Sequence, residues 1–97
     1  MNVTFTGGDP MLHPEGFTTL ARMIKENTDK TIWCYTGYRF EDLIHHPLRK
    51  ALLEWCDVLV DSPFIWTERD LSLPFRGSRN QRIIDVQASL KGGIIEL

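Results

Sequence analysis

Residues 2–10 read Asn2-Val3-Thr4-Phe5-Thr6-Gly7-Gly8-Asp9-Pro10, a strand pattern that runs directly into a turn. The β-branched and aromatic residues favour a strand, and the Gly-Gly-Asp-Pro that follows favours a tight turn. The strand pattern starts at the second residue, without the lead-in that a domain usually has before a core strand. We therefore expect Met1 to belong to a truncated chain, to an alternative start or to the surviving part of a longer protein.

The remainder of the chain alternates helical and strand patterns. Helices are predicted where apolar residues recur at spacings of three and four, and strands where short apolar runs stop at Gly, Asp or Pro. The predicted helices span 14–27 and 39–55, the second divided by Pro47, and the predicted strands span 2–6, 31–36, 57–61 and 82–86. A helix continuing to Leu90 is an alternative for the last strand, and residues 94–97 are expected to add a short one. This alternation favours an α/β fold with a mainly parallel sheet, in a single domain over residues 1–97.

Composition excludes several classes of function. The net charge is −2 and the eleven Lys and Arg residues are dispersed, so we expect no nucleic-acid partner. The chain has no run of about 18 apolar residues, so we expect no membrane span. It also lacks the pattern of a signal peptide, and we expect a cytoplasmic protein.

Cysteine and histidine, the usual ligands of transition metals, are not arranged as a metal site. Cys34 and Cys56 are far apart in sequence, and each falls in an element predicted to be buried, where a free Cys acts as a small apolar side chain. His13, His45 and His46 have no carboxylate or cysteine placed to complete a ligand set. No nucleotide-binding Gly motif and no Ser/His/Asp arrangement is present. We expect no metal site and no catalytic residue within these residues.

Four segments fall at or near the carboxyl ends of the predicted strands, where ligands bind in parallel sheets. They are Gly7-Gly8-Asp9-Pro10, Tyr35-Thr36-Gly37-Tyr38, Asp61-Ser62-Pro63-Phe64 and residues 75–82, which carry Arg76, Arg79 and Arg82. Paired glycines allow positive φ angles or close approach of a ligand, and the acid after them can meet an ammonium group or orient a neighbour. A plain strand-to-helix turn is the alternative. The arginines can grip a carboxylate or phosphate, or remain solvated on the surface.

The order of these motifs resembles the anaerobic ribonucleoside-triphosphate reductase activating proteins, which belong to the radical S-adenosylmethionine superfamily. The resemblance rests on residues 4–10, 32–38, 57–61 and 75–82, and its most specific part is residues 75–86. It implies that the chain is the C-terminal part of such an enzyme, folded as a partial radical-SAM-type (β/α) barrel.

The resemblance also implies an activity. In that family a [4Fe–4S] cluster, held by a Cys-x-x-x-Cys-x-x-Cys loop, binds S-adenosylmethionine, and its reductive cleavage gives a 5′-deoxyadenosyl radical that takes hydrogen from a glycine of the reductase. These 97 residues contain no such loop, and Cys34 and Cys56 match no cluster position. The resemblance thus implies a chain that is inactive alone, with the cluster held outside it and anaerobic ribonucleotide reductase as partner.

The resemblance implies the residues that bind S-adenosylmethionine as well. Gly7, Gly8, Asp9 and Pro10 match a motif whose backbone contacts the methionine amino group, and Tyr35, Thr36, Gly37 and Tyr38 match a segment lining the same cavity. Asp61 matches a polar contact near the methionine or ribose. Ser78, Asn80 and Arg82 match a segment beside the cofactor and the incoming peptide.

Two further readings of the residues stay open beside the resemblance. The chain can be a small non-catalytic α/β module that binds an anion or a partner protein through Arg76, Arg79 and Arg82, or a stable domain without a ligand. A partial barrel also leaves an open sheet edge, and exposed edges recruit strands from other chains. We therefore expect self-association through that edge.

Overall fold

The computed structural model describes residues 2–6 and 8–97, and its centre is one sheet of four strands. The strands are β1 (Asn2–Phe5), β2 (Thr31–Tyr35), β3 (Val58–Asp61) and β4 (Arg82–Asp85), and they are ordered β1-β2-β3-β4 across the sheet. The pairs β1–β2 and β2–β3 are parallel, whereas β3–β4 is antiparallel. The α/β class is confirmed, and the sheet is mixed.

The antiparallel direction of β4 follows from the connection before it. Helices lie between β1 and β2 and between β2 and β3, as parallel neighbours require. Residues 62–81, between β3 and β4, contain only a short 3-10 helix, Trp66–Glu68, and the chain returns along β3 without crossing the sheet. Met1 and Gly7 lie outside the described residues.

The predicted helices are present with small changes in length. They are α1 (Pro14–Asn27), α2 (Phe40–Leu43), α3 (Pro47–Leu53) and α4 (Val86–Leu90). Pro47 divides the second helical region as predicted, because a proline is tolerated in the first turn of a helix but not in its interior. None of the described helices is long and apolar enough to cross a bilayer.

The end of the chain combines the two alternatives predicted for it. Residues 82–85 are a strand, and a helix starts directly afterwards because the Asp85 side chain accepts a hydrogen bond from the Ala88 amide at 3.2 Å. The strand expected at 94–97 is wrong in extent. Only one antiparallel bridge forms, between Ile84 and Glu96, since little chain remains after the Gly92-Gly93 turn to form a ladder.

The hydrophobic core lies between one face of the sheet and the helices α1 and α3, which pack on each other. All four residues of β3 are buried, and on β2 Ile32 and Cys34 point into the core. Trp33 and Tyr35 point to the other face, where Phe75 packs on Trp33 with ring centroids 5.1 Å apart. Cys34 and Cys56 are free thiols buried in the core, as the sequence predicted.

The Asp57 carboxylate connects helix α1 to the sheet. Its Oδ2 accepts hydrogen bonds from Lys25 Nζ at 2.6 Å and from the Ile32 amide at 2.8 Å. Lys25 lies in the last turn of α1, and Ile32 is a core residue of β2. One oxygen atom therefore holds the end of the helix at the start of the neighbouring strand.

We expect the Asp57→Ala substitution to lower the free energy of unfolding by about 1–3 kcal/mol, because it leaves the Ile32 amide without its carboxylate acceptor. Lys25→Met removes a partly exposed ion pair and a long hydrogen bond to the Lys30 carbonyl at 3.3 Å, and it is expected to cost about 1 kcal/mol or less. Urea unfolding followed by circular dichroism measures both. Equal losses of unfolding free energy in the two variants would contradict a stabilising role for the hydrogen bond between the Ile32 amide and Asp57.

Candidate functional site

A cavity of about 260 Å³ lies at the carboxyl ends of the three parallel strands. Five of the predicted site residues line it: Gly8, Asp9, Tyr35, Thr36 and Gly37. The structure adds Thr6, Val60, Ser62, Phe64 and Gln81. All five additions lie within or next to segments that the strand-end rule selected. The sequence therefore indicated the segments that line the cavity, but not which of their side chains do so.

Asp9 joins the first two strand ends. Its Oδ1 accepts hydrogen bonds from the Met11 amide at 3.0 Å and from Thr36 Oγ1 at 2.8 Å, and its Oδ2 accepts one from the Gly37 amide at 2.9 Å. Thr36 Oγ1 in turn accepts a hydrogen bond from the Tyr38 amide at 3.1 Å. The loop after β1 is thus held against the loop after β2 by side-chain hydrogen bonds.

Gly8 leaves open space at the cavity wall. A Cβ atom placed on Gly8 would meet no heavy atom of the described residues within 4 Å, its chain neighbours aside, and the φ angle of Gly8 is not in the left-handed region. Of the two roles expected for the paired glycines, Gly8 therefore fits the close approach of a ligand and not a positive φ angle. The expectation for Gly7 falls outside the described residues.

Pro10 and Tyr38 lie away from the cavity. Pro10 is fully buried and begins the 3-10 helix Pro10–Leu12. The Tyr38 ring lies under the guanidinium of Arg49, with 4.2 Å between Arg49 Cζ and the ring centroid, and Arg49 Nη2 donates to the Tyr38 hydroxyl at 3.3 Å. Both residues contribute to the support of the site.

Asp61 and Arg82 are brought together, and they bind each other. Asp61 is fully buried; its two oxygens accept hydrogen bonds from Arg82 Nε at 3.0 Å and Nη2 at 2.5 Å, and the Phe40 amide donates to it at 2.8 Å. Arg82 also donates to Glu41 Oε1 at 2.6 Å. Hydrogen bonds to Asp61 and Glu41 raise the pKa of Arg82, and its hydrogen bond to Glu41 lowers the pKa of that carboxyl.

Ser78 and Asn80 shape the segment that closes the cavity. Ser78 is fully buried, and its hydroxyl donates to Asn80 Oδ1 at 2.6 Å and accepts from the Ile65 amide at 3.3 Å. Asn80 Nδ2 donates to the Pro63 carbonyl at 2.7 Å. These contacts fold residues 63–80 onto themselves, which places Phe64 at the cavity.

The three arginines of residues 75–82 differ in their surroundings. Arg82 is bound to two carboxylates, and Arg76 Nη1 donates to the Gln81 carbonyl at 2.8 Å. Arg79 is exposed. Two of the three guanidinium groups are therefore engaged by the chain itself.

Residues 1–84 match the family described as 4Fe-4S single cluster domain, and the chain belongs to this family. It is 44% identical over 85 residues to the anaerobic ribonucleoside-triphosphate reductase-activating protein of Haemophilus influenzae, and 41% identical over 85 residues to that of Pasteurella multocida. The corresponding protein of Escherichia coli strain K12 is 34% identical over 83 residues.

These matches confirm the resemblance inferred from the motifs. The first two matches cover 84% of this chain and 53% of each relative, and the third covers 81% and 52%. The chain thus spans about half the length of the curated relatives it matches. No solved structure matches it.

The residues described here do not fit an iron–sulfur cluster, although the family name refers to one. Such clusters are held by cysteine thiolates. Cys34 and Cys56 are fully buried in the core, and a hydrogen bond with the Cys56 thiol, together with burial, raises the pKa of the Cys34 thiol. Across residues 2–6 and 8–97, no group of three His, Cys, Asp or Glu side chains is placed to hold a metal ion.

The ion pair of Glu41 makes the stability of the fold depend on pH. Because the folded-state pKa of Glu41 lies below its ordinary value of 4.5, its ion pair stabilises the fold above that pH, and the contribution disappears as the pH falls through the lower folded-state pKa. We expect Glu41→Gln to flatten the loss of stability below about pH 4.5, measured by urea unfolding at several pH values. Glu54→Gln, at an exposed position, is the control. Parallel pH curves for wild type and Glu41→Gln would contradict the assignment.

Proposed function

We propose that the chain is part of a radical S-adenosylmethionine enzyme that activates anaerobic ribonucleotide reductase by generating its glycyl radical. The observation that carries the proposal is the convergence of strand-end motifs on one cavity. Gly8 and Asp9 are far in sequence from Thr36 and Gly37. All four line the same space at the carboxyl ends of parallel strands. Two relatives that are 44% and 41% identical over 85 residues are named as reductase-activating proteins.

In this proposal the cavity accepts part of S-adenosylmethionine. Sites that enclose a whole small molecule commonly have volumes of about 300–1,000 Å³. The cavity here is about 260 Å³, which suits the methionine end of the cofactor better than the complete molecule. The backbone beside Gly8 is open to the cofactor, and Tyr35 and Phe64 provide aromatic walls.

The remaining parts of the enzyme are proposed to lie outside these residues. The cluster ligands are not Cys34 or Cys56, so the chain alone is expected to be inactive and to act with a cysteine loop supplied elsewhere. The residues would form one domain, the C-terminal part of a partial (β/α) barrel, in a cytoplasmic protein. Asp61, Ser78, Asn80 and Arg82 would support the cavity and the surface that receives the reductase.

Cofactor binding is tested on the chain with two matched glycine substitutions. We expect Gly8→Ala to weaken S-adenosylmethionine binding roughly tenfold, a change of about 1.4 kcal/mol, because its methyl group occupies space left for the ligand. The melting temperature should not change, since that methyl group meets no other atom. Isothermal titration calorimetry gives the affinities.

Gly16→Ala is the matched control because Gly16 also has no atom within 4 Å of its Cβ position but lies in helix α1. It should leave binding unchanged and raise the free energy of unfolding by about 0.5–1 kcal/mol, as alanine is the better helix former. Absence of S-adenosylmethionine binding by the wild-type chain would refute the proposed cofactor site.

The catalytic part of the proposal is tested on the coding region upstream of Met1. We expect an in-frame Cys-x-x-x-Cys-x-x-Cys there, and the protein made from the whole reading frame should release 5′-deoxyadenosine from S-adenosylmethionine under anaerobic reducing conditions. The 97-residue chain should release none. A reading frame without these cysteines would count against the radical enzyme.

A further inference from the structure

We propose that the Asp9 carboxylate positions the walls of the cavity and is not itself a ligand of S-adenosylmethionine. This inference rests on the proposed function, because it assigns a role within the same site. The sequence allowed two roles for an acid directly after paired glycines. It could bind the ammonium group of a ligand, or it could orient neighbouring residues. The contacts of Asp9 favour the second role.

The oxygens of Asp9 are occupied by donors of the chain. A carboxylate has about four lone-pair positions for hydrogen bonds. The Met11 amide is 3.0 Å from Oδ1 and the Gly37 amide is 2.9 Å from Oδ2, while Thr36 Oγ1 lies 2.8 Å from Oδ1 and 3.0 Å from Oδ2. Each oxygen thus has two donor atoms within hydrogen-bond distance. The Thr36 hydroxyl has one hydrogen, which it shares between the two oxygens, so three donor hydrogens of the chain surround the carboxylate and a ligand ammonium group would compete with them.

These donors come from both sides of the cavity. Met11 belongs to the segment after β1, whereas Thr36 and Gly37 follow β2. The Thr36 amide also donates to the Val60 carbonyl of β3 at 3.0 Å. Asp9 and Thr36 together therefore hold the three strand ends around the cavity, and the backbone beside Gly8 is the part of the motif left open for a ligand.

A double-mutant cycle separates positioning from direct contact. We expect Asp9→Asn and Thr36→Val each to weaken S-adenosylmethionine binding roughly tenfold, about 1.4 kcal/mol, with the double variant no weaker than the weaker single one. Thr36→Ser, which keeps the hydroxyl, should restore most of the affinity that Thr36→Val loses. If Asp9→Asn weakens binding as much in the Thr36→Val background as in wild type, the carboxylate contacts the ligand and the proposal is overturned.

A ligand without the amino group gives a second criterion. For deaminated S-adenosylmethionine, a positioning role predicts the same fold-loss in Asp9→Asn as for the cofactor itself, because both ligands need the same cavity walls. A direct contact predicts a loss for the cofactor alone. If Asp9→Asn does not fold by circular dichroism, Thr36→Val and Thr36→Ser carry the test, and wild-type affinity in Thr36→Val overturns the proposal.

Amide hydrogen exchange without ligand distinguishes failure of this inference from failure of the proposed function. Asp9→Asn should speed exchange at the Met11 and Gly37 amides at least several-fold, while Gly16→Ala should leave both unchanged. Faster exchange in a chain that binds no S-adenosylmethionine would refute the cofactor site and keep the role of Asp9 in joining the strand ends. Unchanged exchange would refute the positioning role even in a chain that binds the cofactor.

Discussion

The arrangement of the site depends on one buried charge, the carboxylate of Asp61 at the end of β3. A fully buried carboxylate is strongly destabilising unless its oxygens are paired, and here Arg82 and the Phe40 amide supply the partners. Arg82 is the first residue of β4, so the ion pair keeps β4 beside β3 in the antiparallel direction. The segment between them must then return across the end of the sheet, where Ser62, Phe64 and Gln81 complete the cavity.

Features of the fold that rest on local sequence patterns could be predicted, whereas the contact between Asp61 and Arg82 could not. Helix α1 and strands β1 to β3 follow from local periodicity, and the rule for strand ends selected the segments that line the cavity. The pairing of Asp61 with Arg82 is a contact between residues far apart in sequence, and no local pattern encodes it. The family resemblance implied that Asp61 and Arg82 contact the ligand, and that remains a prediction. In the structure the two side chains form hydrogen bonds with each other.

The cysteines show how burial decides the role of a residue type. A thiol becomes a metal ligand as a thiolate, and an apolar core favours the protonated form. Cys34 and Cys56 lie fully in that core, on β2 and just before β3, and they act there as apolar side chains. The family is named for an iron–sulfur cluster, and yet the part of the chain that the structure describes builds the sheet and the strand-end cavity, with both of its cysteines buried in the core.

Gly8, Asp9 and Pro10 of the Gly-Gly-Asp-Pro motif have different structural roles. Each role follows from the physical properties of the residue. Pro10 is apolar and is the first residue of a 3-10 helix. Its burial anchors the loop to the core. Asp9 carries the acceptors that the amides and hydroxyl of the neighbouring loops require. Gly8 has no side chain, and the space at its Cβ position is not filled by the described residues around it. A motif that looks like a turn in the sequence thus contains an anchor in Pro10, a connection in Asp9 and an open volume beside Gly8. These roles need different residues, because a buried ring, a hydrogen-bonded carboxylate and an empty volume cannot coincide at one position.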